Sequence, residues 1–449
     1  MMDLIYSLLV TLGVLLTAPY YVWKRRDELA GARWRERFGL LPRSFQQAGR
    51  GAIWVHAVSV GETLAVARLA RDLQAVFPER KIFLSGVTPA GRAAGESRLP
   101  AVAGRFYLPM DWRWAVRAAL RRIQPSLLVI VETELWPNLL RAARESGARI
   151  ILVNARLSTR SFRRYGWVRP FMRRVLGNVD AICAQTEADA ARFRDLGARP
   201  ERVVVTGNLK FDAGPPRVGA FPSLLKKIVI MTGGGPVLMA ASTMAGEEAM
   251  VLQAWSRIRA QHPRALLVLA PRHPARFDEV AQILASSGYN YTRRTQLASQ
   301  DAEVSSPVAA IEVLLLDSIG ELAGILELAD VVFMGGSLVP TGGHNILEAA
   351  YWAKPVVFGP HMENFQDIAR LFLEADACVQ VQDAGELAES VLKLLGDRAA
   401  GHRLGERGKQ VLERQTGATD RVLEQIRRLL APPVPQIGGA GVPSPEGAD

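Results

Sequence analysis

The sequence predicts two doubly wound α/β domains in tandem, and three observations support this fold class. The chain of 449 residues is too long for one ordinary hydrophobic core and suits two domains of roughly 150 to 200 residues each. Short apolar runs alternate with helical patterns through both halves, which is typical of parallel strands covered by helices on both faces. Proline- and glycine-rich segments interrupt this alternation between residues 211 and 236 and indicate a linker.

Eleven apolar runs are predicted to be strands. The six before the linker are "AIWVHAV" (52–58), "KIFLSGV" (81–87), "SLLVIVE" (126–132), "RIILVNA" (149–155), "AICAQ" (181–185) and "RVVVTGN" (202–208). The five after it are "VLMAAS" (237–242), "ALLVLAP" (265–271), "EVLLLD" (312–317), "VVFMGG" (331–336) and "PVVFGP" (355–360). Ligands of such folds bind beyond the carboxyl ends of the strands, so we expect functional residues directly after these runs, facing a cleft between the domains.

The first residues predict attachment to a membrane. No charge appears from Leu4 to Trp23, about the length that spans the hydrocarbon core of a bilayer. Basic residues follow from Lys24 onward, and this positive-inside pattern would keep the rest of the chain cytoplasmic. A cleaved signal peptide would carry its charge before the apolar run and a small-residue cleavage site after it, and neither is seen. Pro19 leaves open whether the segment spans the bilayer or lies in its interface.

Composition adds limits on compartment and partners. The 55 Lys and Arg against 44 Asp and Glu give a net charge of +11, which favours nucleic acid, an acidic membrane surface or a phosphorylated substrate as partner. Cys183 and Cys378 lie far apart in apolar contexts, which suits a reducing cytosol and supports neither a disulfide framework nor a zinc site. We therefore expect five parts: a membrane anchor with its basic flank (1–34), an N-terminal domain (35–210), the linker (211–236), a C-terminal domain (237–430) and a disordered tail (431–449).

In the C-terminal half, the strongest motif is "GGSLVPTGGHNILEAA", Gly335 to Ala350. A glycine-bearing loop follows a strand and Asn345 is predicted to open a helix, so backbone amides and the helix dipole would form an anion site. Glu348, one turn later, could accept hydrogen bonds from ribose hydroxyls, and Arg272 follows another strand. The alternative is that the glycines only form a turn, Asn345 only caps the helix and Arg272 is only a solvated loop residue.

In the N-terminal half, "HAVSVGE" (56–62) raises two opposed interpretations of Glu62. Residues 59–62 match the S-x-x-E capping box, and a glutamate engaged with its own helix end is a poor free base. Glu132 and Glu134 follow another strand, on one face if the chain is extended there, and buried carboxylates are costly unless they are paired or used. Lys210 lies near the domain boundary, where it is either an ordinary surface lysine or a cation for an anionic substrate.

Several motifs of other chemistries are missing from the sequence. It has no D-x-D pair for a metal on a nucleotide diphosphate, no H-E-x-x-H, no G-x-x-x-x-G-K-[ST] and no G-x-S-x-G. Metal-dependent, P-loop and serine-hydrolase mechanisms are therefore disfavoured.

Taken together, these motifs resemble the 3-deoxy-D-manno-octulosonic acid (Kdo) transferases of Gram-negative lipopolysaccharide assembly. The resemblance extends from the N-terminal apolar segment to about residue 425 and rests on "HAVSVGET", "YLPMD", "VETELWPN", "NARLSTRS", "GNLKFD", "PRHPARF", "GGSLVPTGGHNILEAA" and "GPHMENFQDI", in family order. It implies a GT-B glycosyltransferase whose N-terminal domain binds the acceptor and whose C-terminal domain binds the donor. Such an enzyme moves Kdo from CMP-Kdo to the lipid A precursor lipid IVA at the cytoplasmic face of the inner membrane, without a metal, a cofactor or nucleic acid.

The resemblance also assigns roles to individual residues. The family's catalytic base falls on Glu62, and two residues that assist the transition state fall on Glu132 and Lys210. Contacts to the CMP-Kdo donor fall on Pro271, Arg272, Ile319, Gly320, Glu321, Asn345, Ile346, Leu347 and Glu348. Met244 and Ala245 stand where relatives are expected to carry a more polar pair, so no side-chain role is expected there.

Three other activities fit parts of the pattern. One is transfer from a UDP-sugar to a membrane lipid, which a donor screen would separate from Kdo transfer. A sugar-nucleotide epimerase is disfavoured because it needs no membrane anchor. A catalytically silent scaffold predicts loss of the key side chains, whereas Glu62, Glu132 and Lys210 are all present.

Overall fold

The computed structural model describes residues 2–24, 34–47, 50–212, 214, 219–297 and 311–431. The chain forms two compact units. The first comprises Met1–Ala213 with Gly417–Asp449, and the second comprises Gly214–Thr416. Each unit is built on one parallel sheet of seven strands, so the predicted pair of doubly wound α/β domains is confirmed.

The first unit carries a sheet in the order β3-β2-β1-β4-β5-β6-β7. Its strands are β1 (Ala52–His56), β2 (Ile82–Gly86), β3 (Gly104–Tyr107), β4 (Pro125–Val131), β5 (Arg149–Ala155), β6 (Ala181–Ala184) and β7 (Val203–Val205). Its helices are α1 (Met2–Lys24), α2 (Trp34–Arg37), α3 (Ser44–Gln47), α4 (Val60–Val76), α5 (Pro89–Arg98), α6 (Arg113–Ile123), α7 (Pro137–Glu145), α8 (Thr159–Gly166), α9 (Arg169–Gly177) and α10 (Glu187–Asp195), with 3₁₀ turns at Pro200–Arg202 and Leu209–Asp212.

The second unit carries a sheet in the order β10-β11-β9-β8-β12-β13-β14. Its strands are β8 (Val237–Thr243), β9 (Leu266–Pro271), β10 (Tyr291–Arg293), β11 (Val313–Leu315), β12 (Val331–Met334), β13 (Val356–Phe358) and β14 (Val379–Gln380). Its helices are α11 (Phe221–Met231), α12 (Glu247–Gln261), α13 (Phe277–Ser286), α14 (Leu322–Ile325), α15 (Leu347–Tyr351), α16 (Gln366–Glu374), α17 (Ala384–Gly396) and α18 (Arg398–Gln415), with 3₁₀ turns at Pro274–Arg276, Arg294–Gln296, Leu326–Leu328 and Glu363–Phe365. The last helix of the described chain, α19 (Ala418–Leu430), belongs to the first unit.

Helices cover both faces of the first sheet. Successive side chains of a strand point to opposite faces, so Trp54 joins one hydrophobic cluster while its neighbours Ile53 and Val55 join the other. Every residue of β1 is buried, as is every residue of the interior strand β12 of the second sheet. This double burial explains why the strands read as continuous apolar runs in the sequence.

All eleven predicted strands form, and three more strands were not predicted. The additional strands are β3, β10 and β14, and each lies at the edge of a sheet. An edge strand has one partner strand only, and these three segments are two to four residues long and carry polar side chains. Their sequences therefore lack the apolar run that reveals a buried strand.

Two segments belong to other parts of the structure than the sequence analysis expected. The segment 211–236, expected to be a linker, contains the helix α11, whose Phe221, Leu225 and Ile228 are buried. The helix α19 was assigned to the C-terminal domain but packs on the first unit. Its residues Ala418, Val422, Leu423 and Ile426 complete the hydrophobic cluster formed by α4 and one face of the first sheet.

The predicted anchor segment forms the helix α1, which is fixed to the first unit by polar contacts. The Tyr6 hydroxyl donates to Asp111 Oδ2 at 2.9 Å, and Trp112 Nε1 donates to Thr11 Oγ1 at 3.1 Å. Within the residues that the structure describes, no helix combines the length and the apolar character needed to cross a membrane. Residues 25–33 of the predicted anchor and basic flank (1–34), and residues 432–449 of the predicted tail (431–449), lie outside the described residues.

Candidate active site

The acidic residues singled out in the N-terminal half lie at the carboxyl ends of two neighbouring strands. Glu62 is in the first turn of α4, which follows β1, and Glu132 comes directly after β4. Strands β1 and β4 pair in parallel, so their carboxyl ends meet at the same edge of the sheet. The structure thus brings Glu62 close to Glu132, and Lys210, the third residue predicted to be catalytic, lies beside Glu132.

The capping box predicted at Glu62 forms only in part: the Ser59 side chain caps the helix, but the Glu62 carboxylate binds the Val58 amide and not the Ser59 amide. Its Oε2 accepts from the Val58 amide at 2.8 Å and its Oε1 accepts from the Ser59 hydroxyl at 2.9 Å, while the Glu62 amide donates to Ser59 Oγ at 3.3 Å. Burial raises the pKa of Glu62 to about 7, and the negative charges of Glu132 and Glu134 add to this, against the opposing effect of the Val58 and Ser59 hydrogen bonds. The side chain therefore makes a structural contact at the start of the helix and is also a carboxyl group that titrates near neutral pH.

Glu132 is held in an unusual backbone conformation beside Lys210. Its φ is +58°, in the left-handed region that non-glycine residues seldom adopt, and its amide donates to the Val153 carbonyl at 2.9 Å. Lys210 Nζ lies 3.9 Å from Glu132 Oε1, with both side chains largely shielded from solvent. Strain of this kind clusters at functional sites, which supports a role for Glu132.

Asn154 and Glu134 also shape the site, although the sequence analysis did not assign them roles. Asn154 is fully buried near the end of β5, has φ of +55°, and accepts from the Leu209 amide at 2.9 Å through Oδ1, which places the turn that carries Lys210. The signal for Asn154 was a polar residue within an apolar strand. Glu134 does not share a strand face with Glu132, because β4 ends at Val131, and burial raises the pKa of the Glu134 carboxyl.

In the second unit, the predicted donor contacts lie in loops that follow β9, β11 and β12. Pro271 ends β9, and the Arg272 amide donates to the Thr243 carbonyl at 3.0 Å. After β11, Ile319 is 78% exposed and Gly320 has φ of +88°, whereas the Glu321 carboxylate is engaged by Arg294 through two hydrogen bonds of 3.0 and 2.9 Å.

The loop after β12 differs from the predicted anion site. The helix expected to open at Asn345 begins at Leu347 and has only five residues, with Ile346 as its N-cap and with Glu348 in its first turn. The amides of residues 336–338 already donate to the buried carboxylate of Glu247. These three amides are therefore taken by an anion that the protein itself supplies.

His344 is a further residue of this loop that the sequence analysis did not single out. Burial lowers the pKa of His344 to about 4, and the positive charges of Arg272 and His273 add to this effect. The imidazole is therefore neutral at physiological pH and lies near the loop that bears Arg272. Its signal in the sequence was the "GGHN" run after a predicted strand.

The two doubly wound parallel sheets, with charged residues beyond their strand ends, give the chain the GT-B fold. Solved structures share this fold: a putative UDP-N-acetylglucosamine 2-epimerase from Listeria monocytogenes aligns with a TM-score of 0.56 at 14% identity, over 84% of this chain and 96% of that one. At that identity the likeness concerns the fold alone.

Sequence comparison is more specific. Residues 32–213 match the family model of 3-deoxy-D-manno-octulosonic-acid transferase (kdotransferase). The chain is 38% identical to the 3-deoxy-D-manno-octulosonic acid transferase of Bordetella pertussis, over 90% of this chain and 94% of that protein. It is 33% identical to the transferase of the same name from Haemophilus influenzae, over 89% of this chain and 91% of that protein. The chain belongs to the Kdo transferase family, and it is a glycosyltransferase.

Proposed function

We propose that this enzyme transfers Kdo from CMP-Kdo to lipid IVA during lipopolysaccharide synthesis, without a metal ion, and that Glu62 is the general base. The observation that carries the proposal is the buried Glu62 carboxyl, with its pKa near 7, beside the Glu132 and Lys210 pair. A general base works best when its pKa lies near the working pH, because a large fraction of it is then ionised and it is still basic enough to take the proton.

The reaction needs a proton acceptor and a place for negative charge. A hydroxyl of the acceptor attacks the anomeric carbon of Kdo, its proton passes to Glu62, and the bond from that carbon to the phosphate oxygen of CMP breaks. In the structure Glu62 Oε1 accepts from the Ser59 hydroxyl, and the acceptor hydroxyl would replace Ser59 as that hydrogen-bond donor. The capping contact with the Val58 amide can persist, because it uses the other carboxylate oxygen.

Glu132 and Lys210 are assigned supporting roles in the same step. The anomeric carbon gains positive character as CMP departs, and the Glu132 carboxylate can stabilise it. The Lys210 ammonium, 3.9 Å from Glu132 Oε1, offsets the negative charges of the site and can approach the carboxylate of Kdo. Asn154 contributes by holding the turn that carries Lys210.

The donor is assigned to the loops of the second unit. Arg272 supplies positive charge for the phosphate or the carboxylate of CMP-Kdo, and charge-assisted hydrogen bonds of this type are the strong ones. The segment Asn345–Glu348 and the loop Ile319–Glu321 supply the remaining contacts predicted by the family resemblance. The pairing of Glu321 with Arg294 holds the second of these loops in place.

The lipid acceptor suggests work at the cytoplasmic face of the inner membrane. Five leucines of α1 are 50–71% exposed, namely Leu8, Leu9, Leu12, Leu15 and Leu16. The turn between α8 and α9 presents Trp167, which is 87% exposed, within the arginine-rich stretch 155–174. Apolar side chains with flanking basic residues are typical of helices that lie in a membrane interface, so we assign α1 this placement.

Flotation with liposomes tests the membrane assignment. The variant Leu12→Glu should float less with vesicles that contain anionic lipid, because it places a charge in the leucine surface of α1. The matched control is Leu373→Glu in the second unit, at a leucine that is 39% exposed and should not affect flotation. Equal flotation of the two variants and the wild type would refute the role of α1.

Mass spectrometry of lipid IVA tests the reaction. Lipid IVA incubated with the protein and an enzymatic supply of CMP-Kdo should gain the mass of one or more Kdo residues, with or without EDTA. Parallel reactions with UDP-sugars should give no product. Product from a UDP-sugar alone would favour the other transferase activity, and no product from any donor would favour a silent scaffold.

A further inference from the structure

Two adjacent glutamates at the start of α12 are completely buried, and the proposed mechanism gives neither of them a role. Glu247 and Glu248 are both 0% exposed, and they follow the strand β8 at the middle of the second sheet. A buried carboxylate is costly unless it is paired or hydrogen-bonded, so the contacts of these two side chains explain why they are tolerated.

Glu247 binds the loop that follows β12. Its Oε2 accepts from the Gly336 amide at 2.6 Å, and its Oε1 accepts from the amides of Ser337 and Leu338, both at 2.9 Å. Oε2 also accepts from the Met244 amide at 2.9 Å, in the loop that follows β8. Three successive amides that converge on one anion form a backbone nest, and here the anion is a side chain of the neighbouring loop.

The approach of these loops is close enough to require glycine. A side-chain carbon at Gly335 would lie 2.6 Å from the Ser242 carbonyl oxygen and 2.9 Å from Glu247 Oε2. Gly335 therefore permits the close contact between this loop and Glu247.

Glu248 binds the loop that follows β9. Its two oxygens accept from Arg276 Nη1 at 2.7 Å and Nη2 at 3.0 Å, and Oε1 also accepts from the Thr243 hydroxyl at 2.9 Å. The hydrogen bonds to Glu248, reinforced by those to the exposed Glu279, raise the pKa of the Arg276 guanidinium above its ordinary value. Arg272 begins the short loop "RHPAR" and Arg276 ends it. The hydrogen bond from the Arg272 amide to the Thr243 carbonyl fixes the first end, and the bidentate contact of Arg276 with Glu248 fixes the second.

The network continues to a fourth strand. The Ser337 hydroxyl accepts from the Gly359 amide at 2.8 Å, and the His361 amide donates to the Ser337 carbonyl at 3.0 Å, both in the loop that follows β13. The strands β9, β8, β12 and β13 are neighbours in that order in the sheet. The two glutamates thus stand at the centre of one hydrogen-bonded network that joins the loops beyond four adjacent strands.

We propose that Glu247 and Glu248 are positioning residues, which hold the loops of Arg272 and of His344 to Glu348 in the geometry that binds the CMP part of the donor. This inference rests on the proposed function, since it assigns donor binding to those loops. Buried ion pairs are weak evidence for stability alone, because an apolar replacement is often as stable. Adjacent residues of a helix point in different directions, so one turn of α12 can hold two loops that the donor must contact together.

Four variants test the inference in the full-length protein. Glu247→Gln and Glu248→Gln remove each charge with little change of shape, and Arg276→Lys keeps the charge but loses the planar fork. Glu279→Gln is the matched control, because Glu279 also pairs with Arg276 but its side chain is 55% exposed. Calorimetry with CMP measures binding without turnover, and steady-state kinetics give KM for CMP-Kdo and for lipid IVA separately.

The first three variants should weaken CMP binding and raise the KM for CMP-Kdo by about tenfold or more, because a small displacement of positioning groups has large effects. The KM for lipid IVA should stay as in the wild type, and Glu279→Gln should match the wild type in every measurement. Unchanged CMP binding and unchanged donor KM in the folded variants, with only a lower melting temperature, would overturn the inference. If Glu247→Gln does not fold, Glu247→Asp retains the charge with a shorter reach and is judged by the same criteria.

CMP binding and Kdo transfer by the wild-type protein show whether a negative result concerns this inference or the proposed function. A wild type that neither binds CMP nor transfers Kdo would refute the proposed function, and the inference would fall with it. A wild type that does both, with variants that bind CMP as well as it does, would refute the inference alone.

Discussion

At the residue scale, Glu62 combines a structural contact with a proposed chemical one, and substitution by glutamine separates them. The side-chain oxygen of a glutamine can still accept from the Val58 amide. Glu62→Gln should therefore lower the free energy of unfolding by about 1 kcal/mol at most, in the lower part of the range of roughly 0.5–2 kcal/mol typical of losing a helix cap. Glutamine cannot accept the acceptor's proton, so kcat should fall by about 10² to 10⁴. Urea unfolding and the lipid IVA assay measure the two effects.

The control for Glu62→Gln is Glu79→Gln, at a glutamate whose side chain is 65% exposed and lies 3.3 Å from Arg80. It should leave both measurements unchanged. If Glu62→Gln retained wild-type kcat, the residue would be a helix cap and the base would have to be sought elsewhere.

The pH dependence of the reaction offers a second test of the same residue. Glu62 must be ionised to take a proton and its pKa lies near 7, so kcat/KM should fall as the pH drops below about 7. Glu134 raises that pKa through its like charge, so Glu134→Gln should move the acid limb of the profile to lower pH. The shift should stay below about one unit, because burial is the main cause. An unmoved limb, or one moved to higher pH, would contradict the assignment.

At this scale, the N-cap contact between Ser59 and Glu62 could be predicted from neighbours in the sequence, whereas the pKa of Glu62 and the contacts of residues 336–338 could not. The Ser59 N-cap was readable, because it depends on four consecutive residues, but the carboxylate of Glu62 binds the Val58 amide and not the Ser59 amide that the capping box requires. The pKa near 7 was not readable, because it arises from burial and from the charges of Glu132 and Glu134 on a loop about seventy residues away. Likewise, the engagement of residues 336–338 by Glu247 depends on a contact across about ninety residues.

At the scale of elements, the sequence predicted the strands that are buried on both faces, but it did not predict which unit the last helix packs on. Strands with both faces covered, such as β4 and β8, are continuous apolar runs and were found. The placement of α19 was not predictable, because an amphipathic helix can pack on either sheet. It depends on a contact between the start of the helix and Asp212, about two hundred residues earlier in the chain. That carboxylate is 2% exposed and accepts from the Gly417 amide at 2.8 Å and from the Thr419 amide at the start of α19.

Replacement of Asp212 by alanine should therefore destabilise the first unit. The buried amide of Thr419 and the half-buried amide of Gly417 would lose their acceptor, and the loss of a buried acceptor typically costs about 1–3 kcal/mol. The matched control is Asp420→Ala, which removes a 67% exposed carboxylate of α19 that lies 3.5 Å from Arg68 and should cost less than about 1 kcal/mol. Urea unfolding followed by far-UV circular dichroism measures both, and equal effects would show that Asp212 does not hold the helix.

At the scale of the whole molecule, the chain leaves the first unit, forms all of the second, and returns to the first at Gly417. The returning helix α19 buries Val422 and Ile426 completely against a cluster that includes Val129 and Ile151 of the first sheet. Burial of an aliphatic side chain contributes about 1.5–3 kcal/mol. Loss of α19 would therefore remove the contributions of Val422 and Ile426 and expose the apolar face of the first sheet that they cover.

Two truncations of the full chain test this dependence. Deletion of residues 417–449 should reduce hydrogen-exchange protection in β4 and β5 while β8 and β12 keep theirs, because the buried residues Ala418, Val422, Leu423 and Ile426 of α19 belong to the cluster of the first sheet. Deletion of residues 432–449 is the control and should leave all four strands protected, since it keeps every described residue of α19. Equal protection of β4 and β5 in the two truncations would mean that the first unit is complete without its returning helix. Loss of protection in β8 and β12 as well would mean that α19 supports both sheets.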